Sequence, residues 1–430
     1  MKFRDLLNEL DEEDKVEHIG KEVSPEYEIT RHLKKTDDVL LFQNIANHDI
    51  RVVGNLFGSR KRIAQGIEVE QDGLIDKMRN SLSQPSKPEI VSEGPVKEIV
   101  EEDVDLKNIP ILEHFEKDGG PYVTSSIFVA KDSEGKRNLS FHRLMLIGSD
   151  EFAIRLVPRN LYKMFTEAER REEPLEVAAV IGADPSVAIA AASSPSYEID
   201  EYGIANNLSE NLELMKCHSV DLEVPSHAEI VLEGKLLPGR RVPEGPFADI
   251  TGTYDAVREQ PVFKVDVITR RKDSIYHALL PGSPEHQFLM GIPREPLIFK
   301  EVDKVAEIKN AVLTPGGCGW LHGVISIAKK ENDDGKESIE AAFRAHPSIK
   351  HVVVVDDDID IYNSQDIEWA IATRFRADED AVVKPNVEGS SLDPTADAET
   401  RLGCKMGIDA TKDLEDVEKF ERAKIPDEEE

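Results

Sequence analysis

Apolar and polar positions follow three textures in turn along the chain. In residues 1–82 the run Val39-Leu40-Leu41-Phe42 is continuously apolar and predicts a buried strand. The apolar spacing over residues 67–82 predicts a helix, which Gly73 weakens. Residues 83–98 are rich in proline and polar side chains and read as a linker or surface crossing. Between residues 99 and 300 short β-like runs dominate, at 122–130, 143–147, 153–157, 228–232 and 262–268, with Gly, Pro, Asn or Asp in the turns. A helix is predicted among them over residues 158–169. Pro158 is placed to start it, and Leu161, Met164, Phe165 and Ala168 make its apolar stripe. From residue 301 onward the α/β pattern returns. His351-Val-Val-Val-Val-Asp356 predicts a strand in a buried sheet, and Asn363 or Ser364 caps a helix over residues 367–375. The charged stretch 413–430 reads as a final helix, a frayed end, or both.

These textures predict an α/β (α+β) chain of three parts. They are an N-terminal α/β unit with linker (1–98), a central split β-barrel with helices around it (99–300), and a C-terminal α/β domain with an acidic tail (301–430).

Composition narrows the function classes. Of the 430 residues 40% are hydrophobic, enough for true cores. The formal charge of −32 repels phosphate backbones and anionic headgroups, so neither nucleic acid nor a membrane surface is an expected partner. Cys217, Cys318 and Cys404 lie far apart without a CxxC pair, which argues against a disulfide framework or structural zinc and for a reducing compartment. The N-terminus lacks an apolar signal core. The most apolar stretch, residues 177–192, is interrupted by Asp184 and Pro185 and is too short to span a bilayer. A cytoplasmic protein is expected.

Several motifs are missing. There is no Walker A sequence, no HExxH and no GxSxG, and Gly317-Cys-Gly-Trp-Leu-His-Gly323 misses the dinucleotide fingerprint by one residue, so it reads as a tight turn. Asp356-Asp-Asp-Ile-Asp360 offers clustered oxygens to a divalent cation, or equally a solvated strand end at a helix N-terminus. Pro243-Glu-Gly-Pro-Phe-Ala-Asp-Ile-Thr-Gly-Thr-Tyr254 holds Glu244 and Asp249 on a loop stiffened by two prolines and two glycines. A carboxyl in such partly apolar surroundings can exchange a proton near neutral pH, although a turn with two surface acids has the same pattern.

Four further segments surround that loop: Asn138-Leu-Ser-Phe-His-Arg143, Ser193-Ser-Pro-Ser-Tyr-Glu-Ile-Asp-Glu201-Tyr202, the stretch from Lys216-Cys-His-Ser-Val-Asp to Leu-Glu-Gly234, and Leu402-Gly-Cys-Lys-Met-Gly-Ile-Asp-Ala-Thr411. In this order, from about Pro110 to Lys412, they resemble the UbiD family of reversible decarboxylases. The resemblance implies prenylated FMN as cofactor, with Mn²⁺ or Mg²⁺ bridging to its phosphate and K⁺ as a further candidate. It makes the central barrel the flavin-binding catalytic domain and the C-terminal domain the oligomerisation domain of a dimer or hexamer. It also implies a flavin prenyltransferase as supplier of the cofactor. Residue by residue, Arg143, Glu244 and Asp249 match the catalytic group. Asn138 and Glu201 match metal ligands, and Asn160 stands where the family usually has a metal-binding histidine. Ser140, Phe141, His142, Arg143, Ser193, Ser194 and Lys405 join Asn138 and Glu201 as cofactor-binding positions, Lys405 reaching the phosphate. The charges suit these roles. A hard cation takes carboxylate, amide and phosphate oxygens, and Arg143 can keep Glu244 ionised while Asp249 exchanges the proton that replaces CO₂. His142 adjoins Arg143, so on a strand the two point to opposite faces.

Within the family the chain resembles an archaeal-type branch through Ala153-Ile-Arg-Leu-Val-Pro-Arg-Asn-Leu-Tyr162 and Leu280-Pro-Gly-Ser-Pro-Glu-His286. That implies conversion of trans-anhydromevalonate 5-phosphate to isopentenyl phosphate and CO₂ in an archaeal mevalonate route. Arg155, Arg159 and His286 are candidates to meet the substrate phosphate. The alternatives are decarboxylation of a hydroxybenzoate or other aromatic acid in quinone synthesis, and a flavin-binding oxidoreductase or flavin carrier, since similar barrels serve flavin reductases.

Overall fold

A run of four buried valines shows how the C-terminal unit is built. In the strand His351–Asp356, Val352 and Val354 face a core with Ile339 and Phe343 of the helix Asp334–Ala345. Val353 and Val355 face a second core with Ile367 and Ala370 of the helix Ser364–Arg374. With both faces covered, alternation has no purpose and the strand is apolar throughout. It is the centre of a five-stranded sheet ordered Glu307–Leu313, His322–Ala328, His351–Asp356, Leu402–Ala410, Ala381–Glu388. The inner pairings are parallel and the outer two antiparallel.

The structure, a computed structural model, describes residues 1–397 and 399–423. Two compact units divide the chain, Met1–Leu289 and Met290–Glu430.

In the first unit a nine-stranded antiparallel sheet forms a half-barrel. Its order is Tyr122–Val123, Leu144–Leu146, Glu151–Ile154, Arg258–Arg270, Ile230–Glu244, Leu175–Ile181, Ile127–Lys131, Arg137–Phe141, with Ile99–Glu101 paired to Arg258–Arg270. The helix Asn160–Arg170 turns Leu161, Met164, Phe165 and Ala168 into the same core as Phe263, which lies 5.3 Å from Phe128 and 6.3 Å from Phe152 between ring centres. The N-terminal segment adds the strands Val16–Val23, Val39–Ile45 and Arg51–Gly54, and its sheet is completed by Ile275–Ala278 from far along the chain. That borrowed strand joins the N-terminal segment and the barrel into one body.

The α/β class and the half-barrel match the sequence expectation, with local differences. The helix expected over 67–82 begins at Leu74, after a 3₁₀ turn Gln71–Gly73, because Glu68 adopts a left-handed conformation (φ 58°) that ends the preceding helix Arg60–Gly66. Pro158 precedes the N-cap Arg159 instead of opening the helix. The turn at 315–319 is tight, with Cys318 and Gly319 both at φ 60°. Asp356 and Asp358 are paired with Arg374, and Asp358 also with Lys412, so these acids meet bases. Of the charged tail, Val417–Phe420 is a 3₁₀ turn, and residues 424–430 lie outside the described residues. No helix among the described residues is long and apolar enough to cross a membrane.

Candidate active site

Arg143 follows the strand Arg137–Phe141 and precedes Leu144–Leu146, and its guanidinium collects three carboxylates. Nε donates to Glu244 Oε1 at 2.8 Å and Nη2 to Glu244 Oε2 at 3.2 Å. Nη1 donates to Asp249 Oδ2 at 2.7 Å, and Nη2 also reaches Asp255 Oδ2 at 3.1 Å. Its Cζ lies 4.4 Å from the centre of the Phe247 ring.

Three local structures deliver these acids. Glu244 is the last residue of the long strand Ile230–Glu244 and stands opposite Arg258. Asp249 follows the short strand Phe247–Ala248, which pairs with Tyr254–Asp255 to make a hairpin. Asp249 closes that hairpin itself: its N–H donates to Thr253 O at 3.0 Å and its carbonyl accepts from Gly252 N at 2.8 Å. Its Oδ1 accepts from Ile250 N at 2.7 Å, so the carboxylate is aimed with Oδ2 toward Arg143.

Glu244 is fully buried and also accepts from the Tyr122 hydroxyl at 3.1 Å. Burial would lower the Arg143 pKa, yet the charge and hydrogen bonds of Glu244, then Asp249 and Asp255, hold it above its ordinary value. Burial, with Glu244 close by, raises the Tyr122 hydroxyl well above its usual range. Asp255 is buried enough to favour the neutral acid, but Arg258, Arg143 and Arg155 together hold it below the usual carboxylate range. Arg155 Nε lies 3.6 Å from Asp255, and Arg258 is ion-paired with it. Three guanidinium groups therefore balance the carboxylates of Glu244, Asp249 and Asp255.

A second cluster lies on the strand Arg137–Phe141. Asn138 Nδ2 donates to Ser140 Oγ at 3.0 Å, and Ser140 Oγ lies 3.0 Å from His142 Nε2. His142 Nδ1 lies 2.9 Å from Arg155 O, which assigns the ring proton to Nδ1 and leaves Nε2 as acceptor. Burial pushes the His142 pKa down to about 4, so the ring is neutral. His142 and Arg143 lie between the strands Arg137–Phe141 and Leu144–Leu146 and reach separate partners. Phe141, half-buried, ends the strand opposite Ile127. Glu201, the first residue of the helix Glu201–Ser209, accepts from Leu139 N at 3.0 Å, beside Asn138. Burial pushes its pKa up to about 8. A buried carboxyl of this kind suits a hard divalent cation, which would ionise it. Among the described residues no group of three or more His, Cys, Asp or Glu could hold a metal.

Asn160 opens the helix Asn160–Arg170 and lines a surface cavity with Arg159, Tyr162 and Lys163. Arg159 Nη1 reaches Ser194 Oγ at 3.5 Å, whereas Ser193 Oγ turns back to Ala190 O at 2.7 Å. Lys405 belongs to the second unit, where its Nζ donates to Pro347 O and lies 5.6 Å from the centre of the Phe343 ring. His286 is buried. Its Nδ1 accepts from Gly282 N at 3.1 Å, and it lies within the field of Asp249.

Asp255 and Tyr122 escaped the sequence reading. Asp255 stands one residue past the motif that ended at Tyr254, and its hairpin pairing with Phe247 was the signal available. Tyr122 carried no local signal, since its partner Glu244 is 122 residues away.

Residues 7–82, 89–284 and 287–410 match the N-terminal, Rift-related and C-terminal domains of 3-octaprenyl-4-hydroxybenzoate carboxy-lyase. Anhydromevalonate phosphate decarboxylase of Methanosarcina mazei is 45% identical over 430 residues, 100% of both chains. The UbiD-class enzyme HmfF from Pelotomaculum thermopropionicum in complex with FMN superposes with a TM-score of 0.97 at 39% identity, covering 99% of this chain and 98% of that one. An evolved dimeric form of HmfF in complex with prFMN gives 0.92 at 38% identity, covering 99% and 97%. With all three domains matched in order and a relative aligned from end to end, the chain belongs to the UbiD family of carboxy-lyases.

Proposed function

We propose that the chain is a prenylated-FMN-dependent, non-oxidative decarboxylase that converts trans-anhydromevalonate 5-phosphate to isopentenyl phosphate and CO₂. The observation that carries the reading is the junction of Arg143 with Glu244 and Asp249, at 2.8 and 2.7 Å. Full-length similarity to the Methanosarcina mazei enzyme supports the substrate.

When bound, prenylated FMN supplies the electron sink for loss of CO₂. The chain supplies position, charge and a proton. Glu244, buried and doubly bonded to Arg143, fixes the guanidinium. Asp249, less buried and on a hairpin, takes up a proton from solvent and delivers it to the product carbon in place of CO₂. To do so its Oδ2 exchanges the Arg143 contact for the substrate. Asn138 and Glu201, with Asn160 as third ligand, hold Mn²⁺ or Mg²⁺. Ser140, Phe141, His142, Ser193 and Ser194 line the cofactor. Arg155 and Arg159 are the bases available to a substrate phosphate. The working enzyme is a cytoplasmic homo-oligomer loaded by a flavin prenyltransferase.

An aromatic acid is the second reading, favoured by the match to a hydroxybenzoate carboxy-lyase family. Holoenzyme from cells co-expressing a flavin prenyltransferase distinguishes the two when offered trans-anhydromevalonate 5-phosphate and 4-hydroxybenzoate. Isopentenyl phosphate is the expected product. Phenol alone favours the second reading, and no CO₂ from either acid, with modified flavin bound, overturns both.

A further inference from the structure

Residues 115–119 fasten the acid hairpin from outside. Asp118 Oδ1 accepts from Ala248 N at 3.0 Å, and Asp118 Oδ2 accepts from Phe115 N at 3.1 Å. Gly119 N donates to Pro246 O at 2.8 Å. Lys117 N donates to the Tyr254 hydroxyl at 3.3 Å, and the Lys117 ammonium lies 5.9 Å from the centre of that ring. The approach excludes any side chain at Gly119, where a Cβ would stand 2.4 Å from Gly245 O. The segment thus grips both hairpin strands and the backbone leading into them.

The grip falls one residue before Asp249. The bonds that Asp249 makes to Thr253, Gly252 and Ile250 shape the hairpin but leave its placement open. Placement through the Arg143–Asp249 ion pair alone would vary with the charge on Asp249, which changes whenever that group gives up a proton. An anchor at Ala248 is independent of that charge.

We propose that Asp118 is a positioning residue for the decarboxylation: by bridging the Phe115 and Ala248 amides, its carboxylate sets where Asp249 stands relative to Arg143. The proposal rests on the decarboxylase reading above and gives Asp118 no contact with substrate. Its ionisation adds a pH signature. Burial pushes the Asp118 pKa up to about 6, opposed by the two amide donors and Arg143 and reinforced by Glu113. Tyr27 and Tyr122 are the other titratable groups that sense it, and Lys117 flanks it in sequence. The carboxylate is the form that accepts both amides well, so the grip is complete above that pH and weakens as pH falls through it.

The test uses holoenzyme of the parent, Asp118→Ala and Asp118→Asn; the second keeps size and one acceptor and so guards the fold. Amide hydrogen exchange over residues 244–255 reads the grip, bound-flavin absorbance reads cofactor retention, and kcat, KM and the pH profile of kcat read the reaction. Expected for Asp118→Ala is faster exchange at Ala248, with cofactor and KM kept and kcat lowered by about 10–100-fold, the scale of an ångström-sized misplacement. In Asp118→Asn the acidic limb of kcat near pH 6 disappears. Unchanged exchange at Ala248, or faster exchange with kcat within about twofold of the parent, overturns the proposal. A flavin-loaded parent that releases no CO₂ defeats the decarboxylase reading instead, and the exchange data still decide whether Asp118 anchors Ala248.

Discussion

Arg143 engages both carboxylate oxygens of Glu244, Oε1 through Nε at 2.8 Å and Oε2 through Nη2 at 3.2 Å, and Glu244 has no exposed side-chain surface. Neither charge could stay buried without the other. Arg143→Met is expected to strand Glu244 and destabilise the fold by about 3–5 kcal/mol, measured by urea unfolding. Adding Glu244→Leu to that variant should recover part of the loss, because the uncompensated charge is gone. Arg143→Lys keeps a charge but not the planar fork; it should fold and lose about 10²-fold in turnover.

Metal retention separates the candidate ligands. Asn138 and Glu201 are neighbours through the Glu201–Leu139 bond, whereas Asn160 lies on a separate helix beside Arg159. Asn138→Ala or Glu201→Ala should lower manganese affinity by about tenfold or more, and Asn160→Ala by less, measured by metal content of dialysed holoenzyme.

Acid stability has a buried reporter in His114. Both of its ring nitrogens lack hydrogen-bond partners, and burial pushes its pKa down to about 3. The unfolded chain binds a proton at this residue near pH 6.5 that the folded chain refuses. Its contribution is therefore complete above pH 6.5 and is lost as pH falls from there toward 3. Between pH 7.5 and 5 that amounts to about 2 kcal/mol. His114→Phe should flatten this part of the dependence, read by urea unfolding at the two pH values.

Much of this architecture was legible in the chain, because burial on both faces writes an unbroken apolar run at 352–355 and burial of one stripe writes Leu161, Met164, Phe165 and Ala168. Strand lengths were less legible. Arg258–Arg270 and Ile230–Glu244 extend well past their apolar centres, since backbone pairing continues where side chains turn polar. The helix expected over 67–82 failed at its start, where one left-handed residue outweighed periodicity. In the site, Glu244 and Asp249 stood out because proline and glycine mark their loop. Asp118, Tyr122 and Asp255 did not, because their meaning arises only when the barrel brings distant segments together.

The most direct test is the turnover of Asp249→Asn, purified with its cofactor and compared with the parent on the same acid. The substitution keeps the size of the side chain and the Ile250 bond but removes the transferable proton. The predicted result is bound prenylated FMN equal to that of the parent, confirmed by mass and absorption spectra, with turnover reduced by about 10²–10⁴-fold. Full activity in this variant would contradict the account, because it would leave Arg143, Glu244 and Asp249 gathered for some purpose other than proton delivery.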